Sequence, residues 1–455
     1  MVKNEKFNKI TEGPLLVSIL SFFFPIFMGS LLQQSYNFVD ALIIGRFAGA
    51  GGLAAIDATY NYMRLLINVF LSISVGATIL ISQYIGAKNE EKASKVVHVI
   101  IVFALIGGAV ITLVGLALSP TFSSFMNVPD AIFDMCVGYL RVYFLGTIFS
   151  FVFNIGSGIL RAGGDTKKPF IFLMISSGVN ILLDLLLVAG LGYGVTGAAA
   201  ATVISQFVAC IFVINHLKNR SDCLALDMRK LHLDKSILGE IMKVGLPLGG
   251  QTSLYVISNM IVQRGINAFG VVGIAAWSIC GKMDFVIWLC IDAIGITVTT
   301  FVAQNYGALN KERMNASSRY GLVIILALVG LISTLFYMYV PVVASWFTRD
   351  VYVIKETTYM MRIIAPFYIL PSISQVISAN IKGTGETLKP MVLTLFGTCA
   401  VRVLWILFVL PQKSLAITAV FSYPVSWGVT VVLFILLGRR CMRRVHFEGE
   451  FVSEG

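Results

Sequence analysis

The sequence predicts an all-α integral membrane protein, with twelve transmembrane helices arranged as two parallel-repeat six-helix bundles around a central cleft. Three observations predict this class: an apolar composition, the number of long apolar runs, and a repeat between the two halves. Hydrophobic residues make up 57% of the 455 residues and charged residues 13%, against about 45–50% and about 25% in soluble domains. With a mean hydropathy of +0.86, too little polar surface remains for a water-soluble enzyme, a disordered regulator or a fibrous protein.

The apolar runs set the number of helices, because crossing a hydrocarbon core of about 30 Å takes about 20 apolar residues. The predicted spans are 15–45, 53–82, 96–118, 133–160, 170–189 and 196–217, followed by 243–268, 273–303, 318–341, 359–380, 391–410 and 415–438. The polar segment between the two sets predicts an N-lobe at 1–217, a linker at 218–236 and a C-lobe at 237–455. The first apolar run is too long for a signal-peptide core, so we expect it to be retained.

The net charge of +11 is explained by membrane topology. Lys and Arg collect in the loops on one side of the predicted spans, and the opposite loops hold few. The positive-inside rule therefore places both termini and the linker in the cytoplasm, with the chain in the plasma or inner membrane. We expect no nucleic-acid partner, since the basic excess marks orientation.

Two loop motifs recur in the second half of the chain. SQYIGAKNEEK (82–92) matches AQNYGALNKER (303–313), and RAGGDTKKP (161–169) matches KGTGETLKP (382–390). Both pairs are offset by 221 residues. Each half holds an even number of spans, so the repeats are parallel and related by an axis along the membrane normal. This organisation is typical of an alternating-access transporter, for which we expect a monomer.

Acidic residues at membrane depth are the candidates for ion coupling, because such charges are expensive in lipid. Asp184 lies in the middle of the fifth span, and Asn180, four residues earlier, shares its helical face. Asp40 lies towards the end of the first span, with Tyr36 one turn before it. Thr202 on the sixth span adds a hydroxyl.

These side chains allow two coupling chemistries. Two carboxylates, an amide and a hydroxyl are hard oxygen ligands suited to Na⁺. Without a cation, burial and like charge favour protonation of one carboxylate, which makes the pair a proton carrier. A structural alternative is that Asp40 and Asp184 cap or bridge helices, with Arg64 as a basic partner.

Longer motifs resemble the MATE (multidrug and toxic compound extrusion) family of the multidrug/oligosaccharidyl-lipid/polysaccharide flippase superfamily. They are FFFPIFMGSLLQQSYNFVDALIIGRFAG (22–49), GILRAGGDTKKP (158–169) and VNILLDLLLVAGLGYGVTGAAAATVISQ (179–206). The resemblance implies two six-helix bundles that export organic cations and other amphipathic compounds in exchange for H⁺ or Na⁺, without a cofactor. It also implies a coupling site in the N-lobe, with a possible Na⁺ at Asp40, Asn180, Asp184 and Thr202.

Further residues are candidates for motion and substrate contact. Pro25 removes a helix hydrogen bond from the first span and is a candidate hinge. The candidate substrate-lining residues are Gln33, Tyr36, Asn154, Ser177 and Gln375. In the C-lobe we expect Asp292 and Arg402 to form a structural pair. Lys282 and Asp284 lie nearer to span ends or the cleft and are expected to extend towards water.

Two other function classes fit the sequence less well. An enzyme is disfavoured, because the four histidines form no HExxH pair and no GxxxxGK[ST] sequence is present. A flippase for a lipid-linked oligosaccharide is the alternative function, and it requires cationic side chains facing the cleft. The candidates for that role are Arg64, Arg264, Lys282 and Arg402.

Overall fold

The structure is a computed structural model that describes residues 10–126, 128–412 and 416–443. The α-helices are α1 Leu15–Phe47, α2 Gly49–Gly86, α3 Glu90–Phe125, α4 Asp130–Leu145, α5 Thr147–Ala162, α6 Lys167–Asp184, α7 Gly194–Lys218, α8 Lys235–Asn267, α9 Gly270–Gly307, α10 Lys311–Ser345, α11 Val351–Ile364, α12 Ile369–Gly383, α13 Leu388–Thr394, α14 Val401–Leu404 and α15 Ala416–Arg443. Segments of π-helix occur at Leu185–Gly190, Leu395–Ala400 and Trp405–Val409, and 3₁₀ turns occur at Met228–Lys230, Ala365–Tyr368 and Leu410–Gln412.

The helices are those of a membrane protein. Within the described ranges, nine helical stretches are long and apolar enough to cross a bilayer, and the bent pair of α4 and α5 makes ten if it is one span. The prediction of an all-α, multi-pass membrane protein is therefore confirmed. The termini, at 1–9 and 444–455, lie outside the described residues, as does part of the last predicted outer loop at 413–415.

The span predicted at 133–160 is broken into α4 and α5, which meet at an angle of 45°. The break falls at Gly146, where an added Cβ would lie 2.6 Å from a methyl group of Val203 on α7. The carbonyl of Phe144 accepts hydrogen bonds from the Thr112 hydroxyl at 2.8 Å and the Thr147 hydroxyl at 2.7 Å. Side chains thus satisfy a backbone group at the bend, as an apolar environment requires.

The two copies of the first repeated motif form the same turn. Lys88 and Leu309 both adopt a left-handed conformation, with φ of 57° and 55°. The residue after each one caps the next helix, since the Asn89 side chain accepts from the Lys92 amide at 3.1 Å and that of Asn310 from the Arg313 amide at 3.0 Å. The motif therefore encodes a helix stop followed by an N-cap.

The described chain forms two compact units. The first unit is Phe24–Gly249, and the second unit is Met1–Phe23 together with Gly250–Gly455. The unit boundaries fall inside α1, beside Pro25, and inside α8, close to Pro247. In the first unit α5 packs against both α3 and α7, and in the second unit α9 packs against α10 and α12. The division into lobes at 1–217 and 237–455 stays a prediction.

Close backbone contact joins α2 to the start of α8 within the first unit. A Cβ added at Gly76 would lie 2.7 Å from the amide nitrogen of Gly245. At the end of α2, the Tyr84 hydroxyl donates to the Glu240 carboxylate at 2.9 Å. Glycine at 76 thus lets the two helices approach to a distance that a side chain would prevent.

The predicted linker, 218–236, is attached to the first unit by apolar and polar contacts. Leu224 and Leu226 are buried. The Asp227 amide donates to Nε2 of His98 on α3 at 3.1 Å, and the His98 Nδ1 lies 2.7 Å from the Ser94 carbonyl. Nε2 is therefore the acceptor of the ring and Nδ1 its donor.

In the second unit, the segment before α1 is held by one guanidinium. Arg313 on α10 donates to the carbonyls of Ile10 at 2.9 Å, Glu12 at 2.8 Å and Gly13 at 3.0 Å. Three charge-assisted hydrogen bonds fix the start of the first helix to α10.

Candidate functional site

The two acidic residues predicted for ion coupling come together in the first unit. Asp184 is fully buried at the end of α6, and Asp40 is half-buried on α1. Their carboxylates lie close enough to interact electrostatically. Two neighbouring carboxylates share a hydrogen bond only if one of them carries a proton, since an ionised carboxylate has no donor.

The polar atoms around this pair are short of partners. Asp40 Oδ1 and both oxygens of Asp184 are buried and accept no hydrogen bond from the described residues. Asn180, which is 1% exposed, also has neither its amide nitrogen nor its oxygen paired within the described ranges. Buried polar groups are normally satisfied, so these atoms are available to a proton, a cation or water.

Thr202, the fourth predicted ligand, lies on α7. It donates to the Ala198 carbonyl of its own helix at 3.1 Å, which leaves its oxygen lone pairs available. One turn further, Ser205 is bound to α6, because its carbonyl accepts from the Ser176 hydroxyl at 2.7 Å. The carboxylate, amide and hydroxyl oxygens fit a hard cation such as Na⁺. No group of three His, Cys, Asp or Glu side chains suited to a metal occurs in the described part of the chain.

A π-helical segment follows Asp184 directly. It covers Leu185–Gly190, and the chain then turns through Gly192 and Gly194 with positive φ angles of 70° and 55° before α7 begins. Such wide turns occur frequently at functional sites. The predicted span at 170–189 did not include this change of helix type, because hydropathy does not distinguish π from α turns.

Tyr139 is a polar residue near the acidic pair that the sequence did not single out. It is buried on α4 and lies within electrostatic range of Asp40 and Asp184. Its ring stacks on that of Tyr143 at 5.9 Å. The available signal was an aromatic residue with a hydroxyl in the fourth span, which is too common in membrane helices to single out.

The predicted substrate-lining residues differ in their surroundings. Gln33 is exposed and Tyr36 half-buried on α1, within two turns of Asp40. Ser177 is buried on α6, and its hydroxyl has no partner within the described residues. The Asn154 amide donates to the Ser150 carbonyl at 2.8 Å. Gln375 belongs to the second unit, where it packs against Gly295.

Arg402, in the second unit, is a deeply buried cation. It is 2% exposed and donates to the Asn259 side-chain oxygen at 2.8 Å, with Ser426 at 3.4 Å. Its guanidinium carbon lies 4.1 Å from the centre of the Tyr423 ring. The predicted pair of Arg402 with Asp292 stays a prediction. Of the other predicted cationic residues, Arg264 and Lys282 are exposed, and the Arg64 side chain lies outside what the structure describes.

Comparison with known proteins decides the family. The sequence model of the MatE family matches residues 25–186 and again residues 247–408. This chain belongs to the MatE family. The resemblance inferred from the motifs is therefore confirmed.

Related proteins match over most of their length. The chain is 29% identical to the probable multidrug resistance protein YoeA of Bacillus subtilis, over 91% of this chain and 92% of that protein. It is 24% identical to the multidrug export protein MepA of Staphylococcus haemolyticus, over 89% and 90%. The relatives of this MatE chain are thus named as transporters rather than enzymes, which confirms that prediction.

Solved structures have the same fold. A crystal structure described as MATE in the bent conformation matches with a TM-score of 0.90 at 25% identity, over 96% of this chain and 98% of the other. The outward-facing conformation of a multidrug resistance MATE family transporter of the MOP superfamily matches with a TM-score of 0.90 at 24% identity, over 98% and 99%.

Proposed function

We propose that this MatE protein is a secondary active multidrug efflux transporter, which exports organic cations and other amphipathic compounds in antiport with H⁺ or Na⁺. The proposal rests on the pair of Asp40 and Asp184, whose buried oxygens lack hydrogen-bond donors among the described residues. A proton or a Na⁺ ion would offset the negative charge of these carboxylates and contact their oxygens, so ion occupancy would change the energy of this region. The names of the relatives, which include multidrug resistance and multidrug export proteins, support the substrate class.

Coupling in this proposal runs from the ion to helix α1. Asp40 lies on α1, and Pro25 lies inside the same helix, where it removes one backbone hydrogen bond. An ion bound by Asp40, Asn180, Asp184 and Thr202 favours the helix shape that brings these groups together, and its release favours the other shape. Pro25 is then the hinge, and Pro25→Ala would slow transport. Unchanged transport in that variant would refute the hinge.

The architecture that we propose has twelve membrane helices. Ten described stretches are long and apolar enough to cross a bilayer if α4 and α5 are one span, and α2 and α8 would make twelve. The double match of the family model, at 25–186 and 247–408, supports two parallel repeats. We propose that the lobes, at 1–217 and 237–455, enclose a central cleft lined by Gln33, Tyr36, Asn154, Ser177 and Gln375. The protein would act as a monomer in the cell membrane with both termini cytoplasmic.

A reconstituted assay tests the function. Liposomes containing the purified protein and a fluorescent organic cation are challenged separately with a pH gradient and a Na⁺ gradient. We expect one gradient to drive cation movement, Asp184→Asn to abolish it, and Asp134→Asn, which changes an exposed acid on α4, to leave it intact. If neither gradient moves any cation, the export proposal fails, and flipping of a lipid-linked oligosaccharide is the next activity to assay.

A further inference from the structure

Asp284 is a carboxylate in a membrane-crossing helix that the ion site does not use. It is half-buried on α9, in the second unit, and accepts a hydrogen bond from the Tyr368 hydroxyl at 3.0 Å. Within the described residues it forms no salt bridge. The neighbouring Lys282 instead places its ammonium 5.4 Å from the centre of the Phe347 ring. Since acidic residues in membrane helices generally face a partner or a functional site, Asp284 is a candidate functional residue.

Aromatic rings surround this carboxylate. Trp277, Asp284 and Trp288 are spaced by seven and four residues, which places them on one face of α9. Their rings contact α15, where Trp277 lies 5.1 Å from Tyr423 and Trp288 lies 6.2 Å from Trp427, measured between centroids. The carboxylate thus lies on an aromatic surface built by two helices.

This surface has a buried floor and a partly exposed rim. Tyr368 and Trp427 are 1% and 3% exposed, and their rings lie 5.4 Å apart. By contrast, Trp277, Asp284, Trp288 and Tyr423 each retain part of their exposure. The floor fixes the position of the carboxylate through the Tyr368 hydroxyl, while the rim can contact another molecule.

Gly281 leaves space at this rim. It lies one turn after Trp277 and about one turn before Asp284 on the same face of α9, and it is exposed. A Cβ added at this position would meet no atom within 4 Å. The helix therefore has an open notch between an indole ring and a carboxylate.

The cluster already holds one planar cation. The Arg402 guanidinium stacks on the Tyr423 ring at 4.1 Å, and its hydrogen bonds go to Asn259 and Ser426. Aromatic faces attract cations through the ring quadrupole, and a planar cation with delocalised charge adds stacking to this attraction. The contact between Arg402 and Tyr423 thus shows how an aromatic ring of this cluster can bind a planar cation.

We propose that Asp284, Trp277, Trp288 and Tyr423 form a binding site for planar organic cations, in the space that Gly281 leaves open. Asp284 neutralises the charge of the ligand, the three rings contact its faces, and Tyr368 is a positioning residue for the carboxylate. This inference rests on the proposed function, because it assigns a recognition site to the organic cations that we expect the protein to export. Binding here depends on no residue of the Asp40 and Asp184 pair.

Equilibrium binding of ethidium to the purified full-length protein, followed by fluorescence anisotropy, tests the site. We expect Asp284→Asn to weaken binding about tenfold or more, since it removes a charge-assisted contact. Gly281→Leu fills the notch and should weaken binding by a similar factor. The matched controls are Asp134→Asn, at an exposed acid, and Gly330→Leu, at a helical glycine of the same unit whose added Cβ meets nothing within 4 Å.

A neutral planar dye of similar size gives a second measurement that does not depend on the leucine variant folding. Wild type should prefer ethidium to the neutral dye, and Asp284→Asn should lose that preference while it still binds the neutral dye. Tyr368→Phe, which keeps the ring, should weaken ethidium binding by about threefold and leave the neutral dye unaffected. Wild-type preference for ethidium in Asp284→Asn, together with unchanged affinity, overturns the proposal.

The transport assay separates this inference from the proposed function. If wild type moves ethidium under an ion gradient and Asp284→Asn binds and moves it equally well, the binding site is refuted and the transport function stands. If wild type binds ethidium through Asp284 but no gradient moves it, the transport function is refuted and the site stands. If wild type neither binds nor moves any organic cation, both are refuted.

Discussion

The unpaired oxygens of Asp40 and Asp184 predict that the protein is stabilised by the ion that it uses for coupling. One proton shared between the two carboxylates provides a charge-assisted hydrogen bond, which contributes about 1.5–3 kcal/mol. A Na⁺ ion present at 100 times its dissociation constant stabilises the occupied state by about 2.7 kcal/mol. In either case we expect a gain of about 2–3 kcal/mol when the coupling ion binds.

Thermal unfolding of the purified protein, recorded across pH and Na⁺ concentration, measures this gain. For a unit the size of Phe24–Gly249, 1 kcal/mol shifts the midpoint by about 2–4 °C, so the expected shift is about 4–12 °C. Asp184→Asn removes one of the two carboxylates and places an amide donor beside Asp40. The midpoint of unfolding should then no longer depend on the ion. Asp134→Asn should keep the wild-type dependence. A full ion-dependent shift in Asp184→Asn, or no shift in wild type with either ion, would refute the reasoning.

Three further predictions concern packing and the two attached segments. Gly76→Val should lower the free energy of unfolding by about 1–3 kcal/mol, because the new side chain overlaps backbone atoms of α8. Thermal unfolding measures this loss. The control is Gly178→Val, where a Cβ meets no atom within 4 Å, and an equal loss in that variant would contradict the prediction. Arg313→Ala should speed cleavage after Glu12 by a glutamate-specific protease about tenfold, since it removes three hydrogen bonds to carbonyls of this segment. Unchanged cleavage would show that the guanidinium does not hold this segment. His98→Phe should speed exchange at the Asp227 amide about fivefold, and if that amide keeps its protection, the imidazole is not its acceptor.

The sequence was informative where a pattern has a single physical reading. Long apolar runs must be helices in lipid. Asp184 could be selected as a site residue because a charge at membrane depth needs a reason. The break at Gly146 could not, because it depends on the distance to Val203 on a helix some 57 residues later. The surroundings of Asp284 could not be predicted either, since its hydrogen-bond donor Tyr368 lies 84 residues later in the chain.

The two halves of the chain place opposite charges on corresponding helices. At the offset of 221 residues, Asp184 corresponds to Trp405, and Ile181 corresponds to Arg402. The acid in the first half can gain or lose a proton or a metal ion, whereas a guanidinium keeps its charge at every physiological pH. Arg402 is moreover held by Asn259, Ser426 and the Tyr423 ring. In the proposed antiport, the fixed cation leaves nothing to exchange at that position, so we expect the ion gradient to act through the first half and the aromatic surface beside Asp284 to recognise the cargo.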